Sequence, residues 1–119
     1  WLPLNPDAAT RNVAAQEADE RSVLHAYRRL IALRREHPAL QTGEMELPDR
    51  DHAKVLTWKR TGEVSSIRMV LNMTGKPVSF PRPDESGYEV LFSTHGTVDI
   101  AGSGPLALQA WEGLVLKVG

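Results

Sequence analysis

The sequence predicts a mainly β fold: an antiparallel β-sandwich of about eight strands, preceded by one long α-helix and an extended N-terminal arm. Three observations carry this. Between Asp19 and Leu40 the apolar residues recur with a helical period, and no other long stretch does so. From Gly43 onward the period falls to two, in short runs separated by turn residues with no helical segment between them. Before Asp19, the residues Pro3, Asn5, Pro6, Asp7 and Asn12 favour turns and extended backbone over helix.

The arm, Trp1 to Ala18, reads as irregular with one short helical turn around Val13 to Glu17. It opens on Trp1, Leu2 and Leu4, apolar surface worth about 25 cal/mol per Å² once removed from water, and no neighbouring stretch can cover it. A start on tryptophan rather than methionine suggests a piece of something larger. Asp19 is the expected N-cap of the helix, with Glu20 favouring the positive end of its dipole. Val23, Tyr27, Leu30, Ile31 and Arg34 share one stripe, which Leu24 and Leu33 broaden, so wide burial is expected. The helix should stop near Glu36, because Pro38 pushes His37 out of the α region.

Candidate strands follow at Glu44 to Leu47, Ala53 to Arg60, Ser65 to Met73, Val78 to Phe80, Tyr88 to Ser93, Thr97 to Ile100, Leu106 to Gln109 and Gly113 to Val118. Between them lie Pro48 to Asp51, Thr61-Gly62, Thr74 to Pro77, Arg82 to Gly87, His95-Gly96 and Gly102 to Pro105, all rich in turn formers. Short strands at this spacing argue for an antiparallel sandwich or barrel. The boundary falls around Leu40 to Gly43, giving an N-terminal part, 1–42, and a sandwich, 43–119.

Composition narrows the partners. The 119 residues suit one core, and 14 basic against 15 acidic side chains leave a net charge of -1, with no broad attraction for nucleic acid. No apolar run approaches the roughly 20 residues that cross a bilayer, so a soluble chain with no membrane partner is expected. The absence of cysteine agrees with a reducing cytoplasm.

Side chains that could carry chemistry do not converge. Asp49 and Asp51, Asp84 and Glu85, and Asp19 and Glu20 sit in hydrophilic turns or a cap, whereas an acid/base pair needs rigid placement and one carboxyl held in a cleft. His25, His37, His52 and His95 lack metal-binding spacing. Ser65, Ser66 and Ser93 lack the context of a nucleophile elbow. Asn72-Met73-Thr74 matches a glycosylation acceptor, meaningful only in a secretory setting; Asn72 reads as a strand-end residue. Trp58 and Trp111 could stack on sugar rings, although tryptophans of this kind more often pack in a core or at its rim. Arg28, Arg29 and Arg35 read as the wet side of the helix, and Arg34, on the apolar stripe, needs a carboxylate or carbonyl partner. No catalytic, cofactor-binding or metal residue is assigned.

WLPLNPD, NVAAQEAD and SVLHAYRRLIALRREHPALQTGE together resemble the end of the catalytic domain in the alpha-amylase superfamily, glycoside hydrolase family 13, of alpha-glucosidase and oligo-1,6-glucosidase type. IRMVLNMTGKPVSF and LALQAWEGLVLKV are similar to an asparagine-bearing turn and the closing strands of that family's C-terminal β domain. Glu20 stands where the family often has proline, and Trp111 where it commonly has tyrosine. The resemblance implies that 1–42 is the last loop and helix of a (β/α)8 barrel and that 43–119 is the C-terminal domain. The family's three catalytic acids stand on earlier barrel strands, and no motif here matches them. The parent would be a retaining enzyme, with its carboxylate pair about 5–5.5 Å apart. The alternatives are a carbohydrate-binding module or a protein-interaction domain, and arm and helix are expected to pack against a second copy of the chain when no barrel covers them.

Overall fold

Asn12 and Ser22, not Asp19, start the helices. The computed structural model describes residues 2–82, 87–96, 100 and 104–118. Helix α1, Val13–Glu17, is capped by Asn12, whose side chain accepts from the Ala15 N–H at 2.8 Å. Helix α2, Val23–Glu36, is capped by Ser22, whose Oγ accepts from the His25 N–H. Asp19 holds the turn upstream of it instead: its carboxylate accepts from the Arg21 N–H, and its carbonyl from the Ser22 N–H. The helix begins only after this reversal because Gln16 of α1 clamps the new start. Its carbonyl accepts from Ser22 Oγ at 2.7 Å, and its side-chain oxygen accepts from the Leu24 N–H at 3.1 Å. The predicted end holds, since α2 stops at Glu36 before Pro38, and a short α3, Ala39–Thr42, leads into the sheet.

The strands are β1 (Glu44–Glu46), β2 (Val55–Thr61), β3 (Ser66–Asn72), β4 (Val78–Phe80), β5 (Tyr88–Ser93), β6 (Leu106–Leu108) and β7 (Gly113–Val118). The strand expected at Thr97 to Ile100 rests largely on 97–99, which lie outside the described residues, as do Trp1, Asp84 and Glu85. A five-stranded antiparallel sheet runs β1-β2-β3-β7-β5, and β4 pairs with β6 in a second, smaller sheet.

Alternation sends side chains of the large sheet into two separate cores. Val55, Val70, Leu114 and Leu116 meet Phe80, Leu106 and Leu108 of the small sheet. On the opposite face, Trp58, Met69, Val115 and Phe92 form one row across four strands. That face packs on Ala26 and Leu33 of α2 and on Ala39 and Leu40. Phe92 reaches it through a β-bulge between Val90 and Phe92, which turns β5 over so that Val90 faces one core and Phe92 the other.

The helix-to-sheet junction depends on close backbone approach at Gly43. A Cβ there would lie 2.5 Å from the Ala39 carbonyl oxygen and 2.9 Å from that of Thr61. Neither oxygen can rotate away as a side chain could. Gly43→Ala is therefore expected to lower stability by about 2 kcal/mol, read as a lower midpoint in thermal unfolding.

Candidate functional site

The apolar stripe predicted to be buried lies outside instead. Val23 and Tyr27 are 66% and 64% exposed, Ile31 48%, and no residue of α2 is fully buried. The sheet takes up only the flank bearing Ala26 and Leu33. Leu2, Leu4 and Val13 of the arm are exposed as well. Arm and helix also stretch the molecule: its radius of gyration is 16.6 Å, against about 13.5 Å for a compact chain of this length. Periodicity reports which face is apolar, and two adjoining faces of this helix are apolar where the sheet can cover one.

A groove of about 470 Å³ opens where the second half of α2 leaves the sheet, lined by apolar residues including Leu30, Met45 and Trp58, with Arg34 and Arg60 at its edge. Both arginines turn to the α3 carbonyls. Arg34 donates to Leu40 O, and Arg60 donates to Ala39 O and Gln41 O. This answers the demand for a partner at Arg34 from within the chain, by capping carbonyls at a helix end. Arg28 pairs with Glu17 at 3.1 Å across α1 and α2. Arg29 is exposed as expected of the wet side, and its guanidinium also covers the Phe92 ring, 5.3 Å from the ring centre.

The other candidate groups are dispersed. Among the described residues no three His, Cys, Asp or Glu side chains gather. His52 Nδ1 accepts from the Val55 and Lys54 N–H groups and its ring meets the edge of Phe80, which makes it a clasp for the loop before β2. His25 contacts the Glu17 carbonyl, and His95 contacts Thr94 Oγ1. Ser93 donates to Glu112 and also accepts from the His95 N–H. Asp51 is exposed. Asp49, at φ 57°, pairs with Arg68 at 3.4 Å, and Arg68 in turn donates to Thr57 Oγ1 inside the sandwich.

Two buried polar groups matter more to the fold than the sequence suggests. Glu112 is 2% exposed and accepts from Ser93 Oγ and, at 2.7 Å, from the Gln109 N–H. Its position just ahead of the apolar run of β7 was the available signal. Asn72 is equally buried and closes the same corner. Its amide donates to Lys76 O and Gln109 O, and its oxygen accepts from the Thr74 N–H and Thr74 Oγ1. Held in this way, the amide has no free face to present to a glycosylating enzyme.

The tryptophans diverge. Trp58 is packed into the helix-facing core, whereas Trp111 is 64% exposed in the turn between β6 and β7. Trp111 has φ 59°, a conformation that costs a bulky residue about 1–3 kcal/mol.

No family model matches the chain. Over 121 aligned residues, covering 99% of the chain, it is 30% identical to the oligo-1,6-glucosidase of Parageobacillus thermoglucosidasius. It is 35% identical over 83 residues to a probable alpha-glucosidase of Rhizobium meliloti. Among solved structures, the trehalulose synthase MutB of Pseudomonas mesoacidophila MX-45 superposes on the whole chain with a TM-score of 0.89 at 34% identity. The chain spans 22% of the first of these relatives, 15% of the second and 22% of the synthase. Over its own length, then, this chain belongs with the C-terminal region of the oligo-1,6-glucosidases and alpha-glucosidases of glycoside hydrolase family 13.

Proposed function

We propose that the chain is the supporting C-terminal part of an alpha-glucosidase-like, retaining glycoside hydrolase of carbohydrate metabolism. Residues 1–42 supply the last loop and helix of its (β/α)8 barrel, and 43–119 form the domain that braces them. The observation that carries this reading is the doubly apolar α2, with Ala26 and Leu33 on the sheet while Val23, Tyr27 and Ile31 face away from it. A barrel helix flanked by a C-terminal domain needs two such faces. The catalytic acids belong to earlier barrel strands, so the 119 residues cleave no glycosidic bond by themselves. The cysteine-free composition supports a cytoplasmic setting.

The test compares two preparations. The full-length gene product is expected to release glucose from maltose or isomaltose, and the purified 119-residue chain to release none. Turnover by the chain alone would sink the reading. The same exposed face favours a second reading for the chain in isolation: self-association through arm and helix. Light scattering is then expected to give twice the chain mass, and a monomer at high concentration would count against it.

A further inference from the structure

We propose that Trp111, together with the β3–β4 turn beside it, forms a surface contact for an alpha-linked gluco-oligosaccharide. Trp111 occupies the left-handed region at φ 59°, where glycine or asparagine sits at little cost and a bulky side chain does not. The corner itself needs no side chain at 111. Its bonds are made by the Trp111 N–H to Thr74 O, the Glu112 N–H to Gln109 O, and the Asn72 N–H to Glu112 O. A tryptophan here has to recover its conformational cost through the indole.

Burial does not return that cost, because the residue is 64% exposed. One side of the indole lies against Gly75, where a Cβ would come within 3.3 Å of Nε1 and 3.6 Å of Cε2. The ring is thereby backed by the turn and held open to solvent. Trp111 stands beside the start of β7, whose Gly113 pairs with Leu71, while α3 contacts the loop after β2 at the other end of those strands.

A fixed, solvent-facing indole binds flat apolar surfaces edged with polar groups, and the C–H face of a glucopyranose is such a surface. The exposed side chains of Lys76 and Gln109 belong to the two turns that Asn72 ties together at this corner. The choice of saccharide as ligand class rests on the glycoside-hydrolase reading above; the exposed, strained indole does not.

The experiment titrates the 119-residue chain with maltotriose and with isomaltotriose, following the indole N–H resonances by NMR. The Trp111 signal is assigned by its loss in Trp111→Gly. A saturable shift of that signal is expected in the wild type; with affinity read in every variant from the backbone amide resonances of residues 74–76, binding weakens at least about fivefold in Trp111→Gly and Trp111→Asn and is unchanged in Trp58→Phe. Both Trp111 variants should melt no lower than wild type, since each relieves the left-handed backbone. Absence of a saturable shift with either sugar overturns the proposal. So does equal affinity in the Trp111 variants, or a marked fall in their melting temperature, which would return the indole to a structural role. Glucose appearing in the tube would count against the non-catalytic reading and leaves the indole measurement to be judged separately.

Discussion

Aspartate at both Tyr27 and Ile31 is expected to leave the 119-residue chain folded and to cripple the full-length enzyme. In a single chain these side chains are 64% and 48% exposed, so each substitution is a surface change on a helix, worth about 0.5 kcal/mol, and any self-association through this face is lost without unfolding the chain. In the full-length protein the same positions would face the barrel, where an unpaired buried carboxylate costs about 3–5 kcal/mol. Two of them approach the whole stability of an ordinary domain, about 5–15 kcal/mol. The measurements are the melting temperature of each form and the soluble yield and glucosidase activity of the full-length one. Tolerance of both aspartates by the full-length enzyme would mean that this face of α2 meets nothing, and the proposed place of the helix in the barrel would be lost. Arg35→Asp, on an exposed part of the same helix, separates loss of packing from loss of helix propensity.

The contrast between those two states also explains what could be read from the amino-acid order. The strands were legible because their signals are local: Val78 to Phe80, Tyr88 to Ser93 and Gly113 to Val118 coincide with the observed β4, β5 and β7. The helix was legible in extent at its C-terminal end, where Pro38 acts through sterics on its own neighbour. Its start was not, because Ser22 and Asp19 are both good caps in isolation, and the choice between them is made by Gln16 on another helix. The apolar stripe was identified correctly as a face and wrongly as buried, since period alone does not say how many neighbours a helix has. The side of the sheet that Phe92 occupies depends on a bulge that alternation cannot reveal. The exposed Trp111 and the packed Trp58 are the same residue type in similar apolar company, and only tertiary placement separates them.

Asn72→Ala is expected to be among the most damaging single changes in the sandwich. The Asn72 side chain uses its full bonding capacity, two donors and two acceptor sites, on Lys76 O, Gln109 O, the Thr74 N–H and Thr74 Oγ1, at 2.7 to 3.0 Å. Its partners belong to the β3–β4 turn and to the residues leading into β7, so one amide joins the corner where the two sheets separate. Removing it leaves carbonyls and an amide unsatisfied in a part-buried site, a cost of about 2–4 kcal/mol. Asn72→Asp discriminates shape from bonding. Aspartate fills the same volume and still accepts from Thr74, but a carboxylate cannot donate to Lys76 O and Gln109 O and places negative charge beside both. It should therefore lose at least as much stability at neutral pH as alanine does, measured as the shift in denaturant midpoint at unchanged slope. If aspartate were harmless, the two amide-to-carbonyl bonds would contribute nothing, and the corner would be held by chain packing around Phe80, Leu106 and Leu108 alone.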